Sequence, residues 1–472
     1  MKIELENFGI VKNFTFNTND DFSIIFGKNN TGKSYAISVV YLVIKNILNL
    51  EDPFFIHSFI SEINVTEKAE EFQKKLENKK SIDIKNDIED LLIESLSKTL
   101  IESIQESFKS TFDSIENLKN QLSDKDLTLN VITDLINFTI KIKGKNLFID
   151  KLSINRERIE LRCVKRNLSH KDNGKIITLY KTDDQDNFIN KLVVFMLETS
   201  MTMTIELKES IKKVHYLPAS RSGLYQALSA FGQIIAELSK SRKFTTKKIE
   251  LPSISEPLSD YFLELSNIKL RKKEIDNKVT KIASEIEDSI LNGKIEFDKT
   301  TKKLMFKPKN TTLTLDLSYT SSMVSEISPI VSYLRYVINY SDDQSFYPFY
   351  TKKRKFEKSK PLIIIEEPEA HLHPDIQVEL LKQFVELAKD DVKFIITTHS
   401  NYMFNKFNNL VISKDIDISK SASFLFKEES NGSNAIKMEL DEFGVDDENF
   451  IYTSESLYNE KMDLIKNINE TS

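Results

Sequence analysis

The segment Gly27-Lys28-Asn29-Asn30-Thr31-Gly32-Lys33-Ser34, here called the phosphate loop, constrains the fold of this chain more than any other feature. It fits the pattern G-x-x-x-x-G-K-[ST] and lies between a predicted strand, 22–26, and a predicted helix, 33–49. Glycine is otherwise scarce, with 10 in 472 residues, so two glycines five positions apart are informative. They let the loop curl, so that backbone N–H groups and a helix N-terminus point at a chain of phosphates. Lys33 can reach the β- and γ-phosphates, and the Ser34 hydroxyl can ligate Mg²⁺.

A second pattern consists of an apolar run followed by two acids. Leu362–Ile365 reads as a strand buried on both faces of a parallel sheet, and Glu366 and Glu367 follow it directly. Carboxylates at the C-terminal end of such a strand point into the crevice where α/β sheets bind ligands. We therefore predict that Glu366 is the acid linked to Mg²⁺ and that Glu367 is the base that orients the attacking water. The alternative, a solvated turn after a strand, is disfavoured by the phosphate loop in the same chain.

A third pattern places a histidine after the next predicted strand. Pro374 opens a helix that ends near Asp390, and Val392–Thr397 is again a buried apolar run, so the three elements form a βαβ unit. His399 follows this strand and can lie beside the same crevice. There it could hydrogen-bond the γ-phosphate and fix the water, which makes it a catalytic candidate together with Glu367.

The rest of the chain alternates between helical and strand-like patterns. The predicted strands not yet mentioned are 2–7, 13–17, several within 127–166, 214–217, a hairpin region at 294–317, and closing strands at 410–413, 424–427 and 435–439. The predicted helices are an amphipathic stretch through Leu92–Leu122, then 222–240, 256–290, one from Ser322, and a final helix through Leu457–Ile468. This mixture predicts an α/β fold with a mixed central sheet, flanking helices, an antiparallel β subdomain and a helical insertion.

Composition excludes several classes of protein. Lys plus Arg is 66 and Asp plus Glu is 72, so a uniformly basic nucleic-acid coat is excluded. Cys163 is the single cysteine, which excludes a disulfide framework and a cysteine-based zinc site. The N-terminal residues contain no signal-peptide h-region, and no uninterrupted apolar run reaches the roughly 18 residues of a membrane span. We therefore expect a cytoplasmic protein with no membrane partner.

Together these blocks resemble the ABC-type ATPases of the SMC/RecF/OLD group, commonly labelled AAA-family ATPases in bacteria. The resemblance rests on GKNNTGKS at 27–34, IIIEEPEAHLHP at 363–374, TTHS at 397–400, NFGIVKNFTF at 7–16 and YLPASRSGL at 216–224. It covers the two ends of the chain well, whereas 60–200 match only as a variable insertion. It implies a P-loop NTPase fold of the ABC-ATPase head type. The expected organisation is an N-terminal ATPase lobe at 1–59, an insertion at 60–205 and a C-terminal ATPase lobe at 206–472.

The resemblance also implies ATP and Mg²⁺ as ligands, held between two heads of a homodimer or higher oligomer. In that family a partner supplies an LSGGQ-like signature loop in trans, and this chain departs from that pattern. The best candidate is Thr320–Glu326, here called the signature-like segment, in which Ser321 and Ser322 could bind the partner's nucleotide. The segment has no glycine, and the alternative is a plain serine cap of the helix that follows.

Four functions are compatible with the resemblance. We favour an ATP-gated switch of a bacterial anti-phage system, similar to the ATPases of Septu or PARIS, that acts with a separate effector nuclease. The others are a RecF-like DNA-repair ATPase, an OLD-type nuclease and a transporter subunit. The nuclease would need a TOPRIM domain after His399, where only 400–472 remain and the acids Asp441, Glu442, Asp446, Asp447 and Glu448 share one loop-like stretch. The transporter is disfavoured because LSGGQ is absent.

Two basic features keep two interpretations each. The run Lys352–Lys355, with Lys358 and Lys360, is either a solvated loop or a nucleic-acid contact. Arg221 follows a predicted buried strand, and it either contacts phosphate or a partner, or pairs with a carboxylate.

Overall fold

One large mixed sheet forms the centre of the protein. The computed structural model describes residues 1–62, 65–77, 79–163, 170–181, 184–227, 254–270, 275–340, 359–446 and 450–471. The strands are β1 (Lys2–Phe8), β2 (Val11–Asn17), β3 (Phe22–Gly27), β4 (Ser81–Asp83), β5 (Thr128–Ile132), β6 (Ile136–Lys143), β7 (Asn146–Ile154), β8 (Arg158–Arg162), β9 (His170–Asp172), β10 (Ile176–Tyr180), β11 (Ile211–Leu217), β12 (Gly293–Asp298), β13 (Lys303–Pro308), β14 (Leu315–Asp316), β15 (Lys360–Glu366), β16 (Lys393–Thr397), β17 (Ser421–Glu429) and β18 (Gly432–Lys437).

Helices cover both faces of this sheet. They are α1 (Lys33–Leu48), α2 (Pro53–Glu62), α3 (Thr66–Leu76), α4 (Lys85–Leu96), α5 (Glu102–Phe112), α6 (Gln185–Ser210), α7 (Glu256–Ser266), α8 (Lys278–Ile286), α9 (Ser322–Ser332), α10 (Pro374–Ala388), α11 (Asn401–Ile412) and α12 (Ile451–Thr471). Short 3₁₀ or π turns lie at Asn49–Glu51, Ser97–Ile101, Glu116–Leu118, Glu287–Leu291, Leu317–Tyr319, Tyr333–Val337, Ile338–Tyr340 and Ile418–Lys420.

The central sheet has eleven strands in the order β11-β15-β16-β3-β17-β18-β2-β1-β5-β6-β7. The five strands from β11 to β17 run parallel, and the strands from β2 to β7 pair antiparallel. Two small sheets, β4-β8-β10-β9 and β12-β13-β14, stand apart from it. The predicted α/β fold with a mixed central sheet and flanking helices is therefore confirmed.

The apolar runs that predicted parallel strands lie in the middle of the sheet. All six residues of β3 are buried, as are all five of β16. Alternate side chains of these strands enter two different cores, because successive residues point to opposite faces. Ile25 and Ile395 join α1 on one face, whereas Ile24 and Ile396 join α10 and α11 on the other. Both faces of these strands are covered by helices, which explains why apolar and polar residues do not alternate along them.

The ends of the chain meet in this sheet. Strand β3 lies between β16 and β17, so a strand from the first 59 residues is flanked by two from the last eighty. The antiparallel strands β5 to β7 extend the same sheet, because β5 pairs with β1 from Lys2↔Ile132 to Glu6↔Thr128. Strands from 128–154 thus extend the edge of the sheet that contains β1 and β2.

Three sequence predictions of helices and strands need correction. The amphipathic stretch Leu92–Leu122 is not one helix, since α5 ends before Asp113, which has φ +69°. Beyond that turn, Leu118 is buried and Leu122 is exposed. The helix predicted at 256–290 is two helices, because Asn277 starts α8 by accepting a hydrogen bond from Thr280 N at 2.9 Å.

The third correction concerns the strand predicted at 410–413, which belongs mostly to α11. Ser400 caps this helix by accepting a hydrogen bond from Met403 N at 3.1 Å. The buried side chains of α11 recur at helical spacing, Met403, Phe404, Phe407, Leu410 and Val411. The run 410–413 is too short to show this helical spacing without the apolar residues that precede it. Of the helix predicted at 222–240, residues 221–227 are helical and the others lie outside the described residues.

Helix α6 is long and apolar enough to span a membrane by length and composition, and it is the one described helix of which this is true. In this fold 61% of its most apolar window is buried. It packs against α1, α3 and β11, which is typical of a core helix.

Candidate functional site

The phosphate loop connects β3 to α1 in the way that its sequence predicts. Gly27 has φ +141° and Gly32 has φ +87°, conformations that side chains with a Cβ rarely adopt. Thr31 Oγ1 donates a hydrogen bond to Lys28 O at 2.9 Å and closes the loop. Gly32 occupies the N-cap of α1 and offers no side-chain cap, so the first N–H groups of the helix stay available to an anion.

Gly27 is the position in the loop where a side chain is least tolerable. A Cβ there would lie 2.6 Å from Phe426 O, a backbone atom of β17 that cannot move aside. We expect Gly27→Ala to lower the free energy of unfolding by more than about 1 kcal/mol. Gly144→Ala is the matched control, since Gly144 also has a positive φ, +63°, but faces open space. Urea unfolding of both variants measures the difference, and equal losses would contradict the clash.

Lys33 turns back into the loop. Its Nζ donates to Gly27 O at 3.0 Å and to Lys28 O at 2.7 Å, and the residue is 6% exposed. Burial lowers the pKa of Lys33 to about 8, although the carboxylates of Glu367, Glu369 and Glu366 oppose this shift. The ammonium therefore lies among backbone carbonyls and acids, at the place where phosphates would enter.

Glu366 ends β15 beside the start of α1. Ser34 Oγ donates to Glu366 Oε2 at 2.6 Å, and Tyr216 OH donates to Oε1. Burial raises the pKa of the Glu366 carboxyl, while these two hydrogen bonds lower it. The structure thus brings the two predicted metal-binding residues, Ser34 and Glu366, into contact although they are 332 positions apart in sequence.

Tyr216 was not among the predicted site residues. It lies on β11, which pairs with β15 so that Tyr216 faces Ile364 in register. Its ring is buried and its hydroxyl is also 3.0 Å from Ser38 Oγ of α1. The sequence signal was present in YLPASRSGL, but the neighbour of β11 could not be read from it.

Glu367 and His399 meet at the mouth of the loop. His399 Nε2 lies 3.3 Å from Glu367 Oε1, and this contact lowers the pKa of Glu367 despite its partial burial. Glu367 has φ +42° and donates its backbone N–H to Thr397 O at 2.9 Å. The chain therefore turns sharply after β15 and aims the Glu367 side chain towards β16 and the histidine.

A third acid holds the histidine loop in place. Glu369 Oε1 accepts hydrogen bonds from Thr398 Oγ1 at 2.7 Å and from His399 N at 2.6 Å. Burial raises the pKa of the Glu369 carboxyl. Sequence reasoning missed this role, since Glu369 appeared only as part of a resemblance block. Its contacts fix the backbone of His399 relative to Glu367.

A cavity of about 570 Å³ opens over the phosphate loop. This volume is within the usual range of small-molecule sites. Its lining residues are Gly9, Ile10, Asn29, Asn30, Thr31, Gly32, Lys33, Ser34, Tyr35, Asn117, Lys119, Gln121, Leu122, Glu367 and His399. A second cavity, of about 680 Å³, lies where β3 and β17 begin and contains none of the predicted site residues.

The signature-like segment is elsewhere. Ser321 caps α9 by accepting a hydrogen bond from Val324 N at 3.4 Å, and Ser321 and Ser322 are both exposed. Neither serine lines the cavity over the phosphate loop. The site of one chain, in the part that the structure describes, therefore lacks the signature-like serines.

Arg221 does not lie at the cavity. It is fully buried and its Nη2 lies 3.4 Å from Glu326 Oε2, so of the two interpretations the structure favours a carboxylate pair. In the basic run, 352–355 and Lys358 lie outside the described residues. Lys360 pairs with Asp21 at 3.0 Å.

The acidic stretch 441–448 forms a surface turn as far as it is described. Asp441, Glu442 and Asp446 are exposed, and Asp441 Oδ1 accepts a hydrogen bond from Phe443 N at 2.7 Å. Asp447 and Glu448 lie outside the described residues. Within the described ranges, no group of three or more His, Cys, Asp or Glu side chains is placed to hold a metal ion by itself.

Residues 1–404 match the sequence family described as the AAA ATPase domain. No curated protein matches the chain. Three solved structures are similar over nearly the whole chain. The SmcHead bound to the C-winged helix domain of ScpA is 11% identical, with a TM-score of 0.34, and the match covers 93% of this chain and 97% of that chain. The SMC head domain from Thermotoga maritima is 8% identical, with a TM-score of 0.35, and the match covers 93% of this chain and 98% of that chain. The Smc head domain with an extended coiled coil bound to the C-terminal domain of ScpA derived from Pyrococcus furiosus is 10% identical, with a TM-score of 0.35, and the match covers 99% of this chain and 98% of that chain.

Proposed function

The chain belongs to the AAA ATPase domain family, and from that premise we propose that it binds ATP with Mg²⁺, hydrolyses it, and uses this cycle as a switch between assembly states. The observation that carries the proposal is the contact between Ser34 and Glu366, with Glu367 and His399 beside it. A hydroxyl, two carboxylates and a histidine surround the mouth of a loop that presents backbone N–H groups. This combination suits phosphoryl transfer, because catalysis of that reaction consists mainly of positioning and charge stabilisation.

In this proposal the phosphates lie along the loop residues Gly27, Lys28, Asn29, Asn30, Thr31 and Gly32, and Lys33 donates to them. Ser34 and Glu366 would hold Mg²⁺, since hard oxygen ligands suit this ion and it takes its other ligands from phosphates and water. Bound there, the ion would neutralise charge on the phosphate oxygens. Two protein oxygens are enough for such a site, and the 2.6 Å contact shows that they converge.

Glu367 would act as the base that orients the attacking water. Its pKa is lowered, so its carboxylate is ionised at neutral pH and can accept a proton or a hydrogen bond. His399 lies 3.3 Å from it and lines the same cavity, where it can reach both the carboxylate and a terminal phosphate. Glu369 keeps the histidine backbone in register with this pair.

A second copy of the chain would complete the site. The signature-like serines are exposed at the first turn of α9 and do not line their own cavity. A helix N-terminus with exposed serines is suited to a γ-phosphate supplied by a partner. We therefore propose a homodimer, or a higher oligomer, with ATP between two heads built from 1–59 and 206–472. The strand order, with β3 between β16 and β17, supports a single head made of both segments.

Binding of ATP should depend on pH through Lys33. Its pKa of about 8 lies below the ordinary value of 10.5, and a bound phosphate would raise it again. ATP binding should therefore take up a proton between about pH 8 and 10, and affinity should fall as pH rises through this window by at most about tenfold per unit. Calorimetry in buffers of different ionisation enthalpy measures the proton uptake. If Lys33→Arg still binds ATP, its binding should take up no proton in this pH range, because arginine stays charged.

Two measurements test the proposed function. The purified protein should release phosphate from ATP in Mg²⁺, and light scattering should show its mass doubling with ATP under conditions in which hydrolysis is slow. EDTA should abolish turnover. A protein that neither binds nor hydrolyses ATP when folded would contradict the proposal.

The finer proposal is that this switch serves an anti-phage system and controls a separate effector nuclease. The segment EEPEAHLHP at 366–374 resembles the OLD-like branch more than RecF, which supports it. Among the described residues, Asp441, Glu442 and Asp446 belong to no metal-binding group of three or more such side chains. The protein with ATP and Mg²⁺ or Mn²⁺ should leave plasmid DNA intact, and adding the product of the adjacent gene should create cleavage. ATPase activity stimulated by DNA alone would favour the RecF-like alternative. Cleavage by this chain alone, lost on replacing Asp446 and Asp447, would restore the nuclease reading.

A further inference from the structure

Arg221 lies between the end of β15, which carries Glu366 and Glu367, and helix α9, which begins in the signature-like segment. Its guanidinium is fully buried at the start of the helical stretch 221–227, just after β11. Nη1 donates to Glu366 O at 2.7 Å and to Pro218 O at 3.1 Å, and Nη2 donates to Glu367 O at 3.3 Å. The arginine thus holds the backbone on which both acids of the site are carried.

The other side of the guanidinium holds α9. Nη2 lies 3.4 Å from Glu326 Oε2, and Nε donates to Glu326 O at 3.4 Å. Ser222 Oγ also donates to Glu326 Oε1 at 2.5 Å. Glu326 is 2% exposed and lies one turn after Ser322. Helix α9 exposes Ser322 at its N-terminus and is buried from Val324 onward. It therefore runs from the protein surface to Arg221.

We propose that Arg221 is a positioning residue that couples the signature-like segment to Glu366 and Glu367 of the same protomer. This inference rests on the proposed function. In the dimer, each signature-like segment would contact the partner's nucleotide, while Glu366 and Glu367 serve the protomer's own nucleotide. A shift of α9 on engaging the partner's ATP would pass through Glu326 and Arg221 to the backbone of the two acids. Occupancy of one site would then favour the active geometry of the other.

The residue type fits this role. Arginine has five N–H donors in a planar fork and keeps its charge, so it can bond several acceptors on two elements at once. The lysine side chain has a single nitrogen and cannot bond both Glu326 and the backbone of Glu366 and Glu367 in the same way. Arg221→Ala would leave the Glu326 carboxylate buried without its cation, which destabilises the folded protein. A loss of activity in that variant would therefore not distinguish misfolding from lost coupling. Removing both charges together avoids this cost, and Arg221→Met with Glu326→Gln keeps a neutral acceptor for Ser222.

The test uses Arg221→Lys, the double variant Arg221→Met/Glu326→Gln, and a control, Arg335→Lys. Arg335 is a partly buried arginine in the turn after α9, and its Nη2 donates to Glu287 Oε2 at 2.7 Å and to Ser284 Oγ at 2.8 Å. Both Arg221 variants should keep the ATP dissociation constant, lose roughly 10-fold in kcat, and lose cooperativity in ATP, within the range typical of coupling between sites. The Arg335 control should keep kcat even where its melting temperature falls.

Mixed dimers separate coupling from local support. Wild-type protomers mixed with an excess of Lys33→Ala protomers have one working site, with wild-type acids and the variant's signature-like segment. An excess of Glu367→Gln protomers instead places the working site beside a site that holds ATP without hydrolysing it. The coupling predicts faster turnover of the working site beside the occupied site than beside the empty one, and Arg221→Lys in the working protomer should abolish this difference.

The outcomes distinguish the two levels of the account. Equal turnover of the working site beside an occupied and an empty site, or wild-type kcat and cooperativity in Arg221→Lys, would overturn the coupling while leaving the ATPase proposal standing. A wild-type protein whose turnover does not depend on Lys33 would instead overturn the proposed function itself.

Discussion

Glu367→Gln should bind ATP normally and hydrolyse it roughly 10²–10⁴-fold more slowly, the usual contribution of a positioned base. Glutamine keeps the size of the side chain and can still contact His399, which lies 3.3 Å away in the wild type. It cannot accept a proton from water. Hydrolysis would therefore be slowed while the phosphate loop, Ser34 and Glu366 stay intact. Single-turnover assays with radiolabelled ATP measure the chemical step directly.

The matched control for this variant is Glu442→Gln, which removes a negative charge from the exposed acidic turn. It should hydrolyse ATP at the wild-type rate. If ATP lies between two protomers as proposed, Glu367→Gln should also accumulate as an ATP-bound dimer, because hydrolysis would be the step that separates them. Wild-type turnover by a folded Glu367→Gln protein would show that another residue activates the water.

Lys33→Ala should lose ATP binding itself, by at least about 100-fold. Lys33 would make charge-assisted hydrogen bonds to two phosphates, each worth about 1.5–3 kcal/mol. The variant should still fold, because the lost ammonium is buried at a cost, as its lowered pKa shows. Binding of a fluorescent ATP analogue measures the loss, and thermal unfolding checks the fold.

Lys28→Ala is the informative comparison for Lys33→Ala. The Lys28 side chain is exposed, and the residue would serve the phosphates through its backbone N–H. Its replacement should weaken binding far less than that of Lys33. Equal losses from the two variants would mean that general positive charge, and not the buried ammonium, holds the nucleotide.

Local sequence patterns predicted the parts of the site that depend on neighbouring residues. The phosphate loop is a strand, a turn and a helix in direct succession, so its residues determine its shape. The meeting of Glu366, Glu367 and His399 was also predictable, because a βαβ unit places two parallel strands side by side, and β15 and β16 do pair.

Contacts that depend on strand order were not predictable from one sequence. Tyr216 reaches Glu366 because β11 is the neighbour of β15. Arg221 meets Glu326 through the packing of α9, which is a separate long-range contact. The pairing of β5 with β1, which joins β5 to β7 to the main sheet, is another long-range contact. The strand predicted at 410–413 failed for a different reason, since a short apolar run has no period of its own until Ser400 and Met403 are included.

The central claim, that two protomers share each ATP site, is tested most directly by mixing two inactive variants. Lys33→Ala removes nucleotide binding, and Ser322→Arg blocks the first turn of α9 that the partner's phosphates would meet. A mixed dimer contains one site with both defects and one site with neither, so phosphate release should recover in part as the two are combined. If both variants are folded and associate, yet no mixing ratio restores activity, the shared site is contradicted.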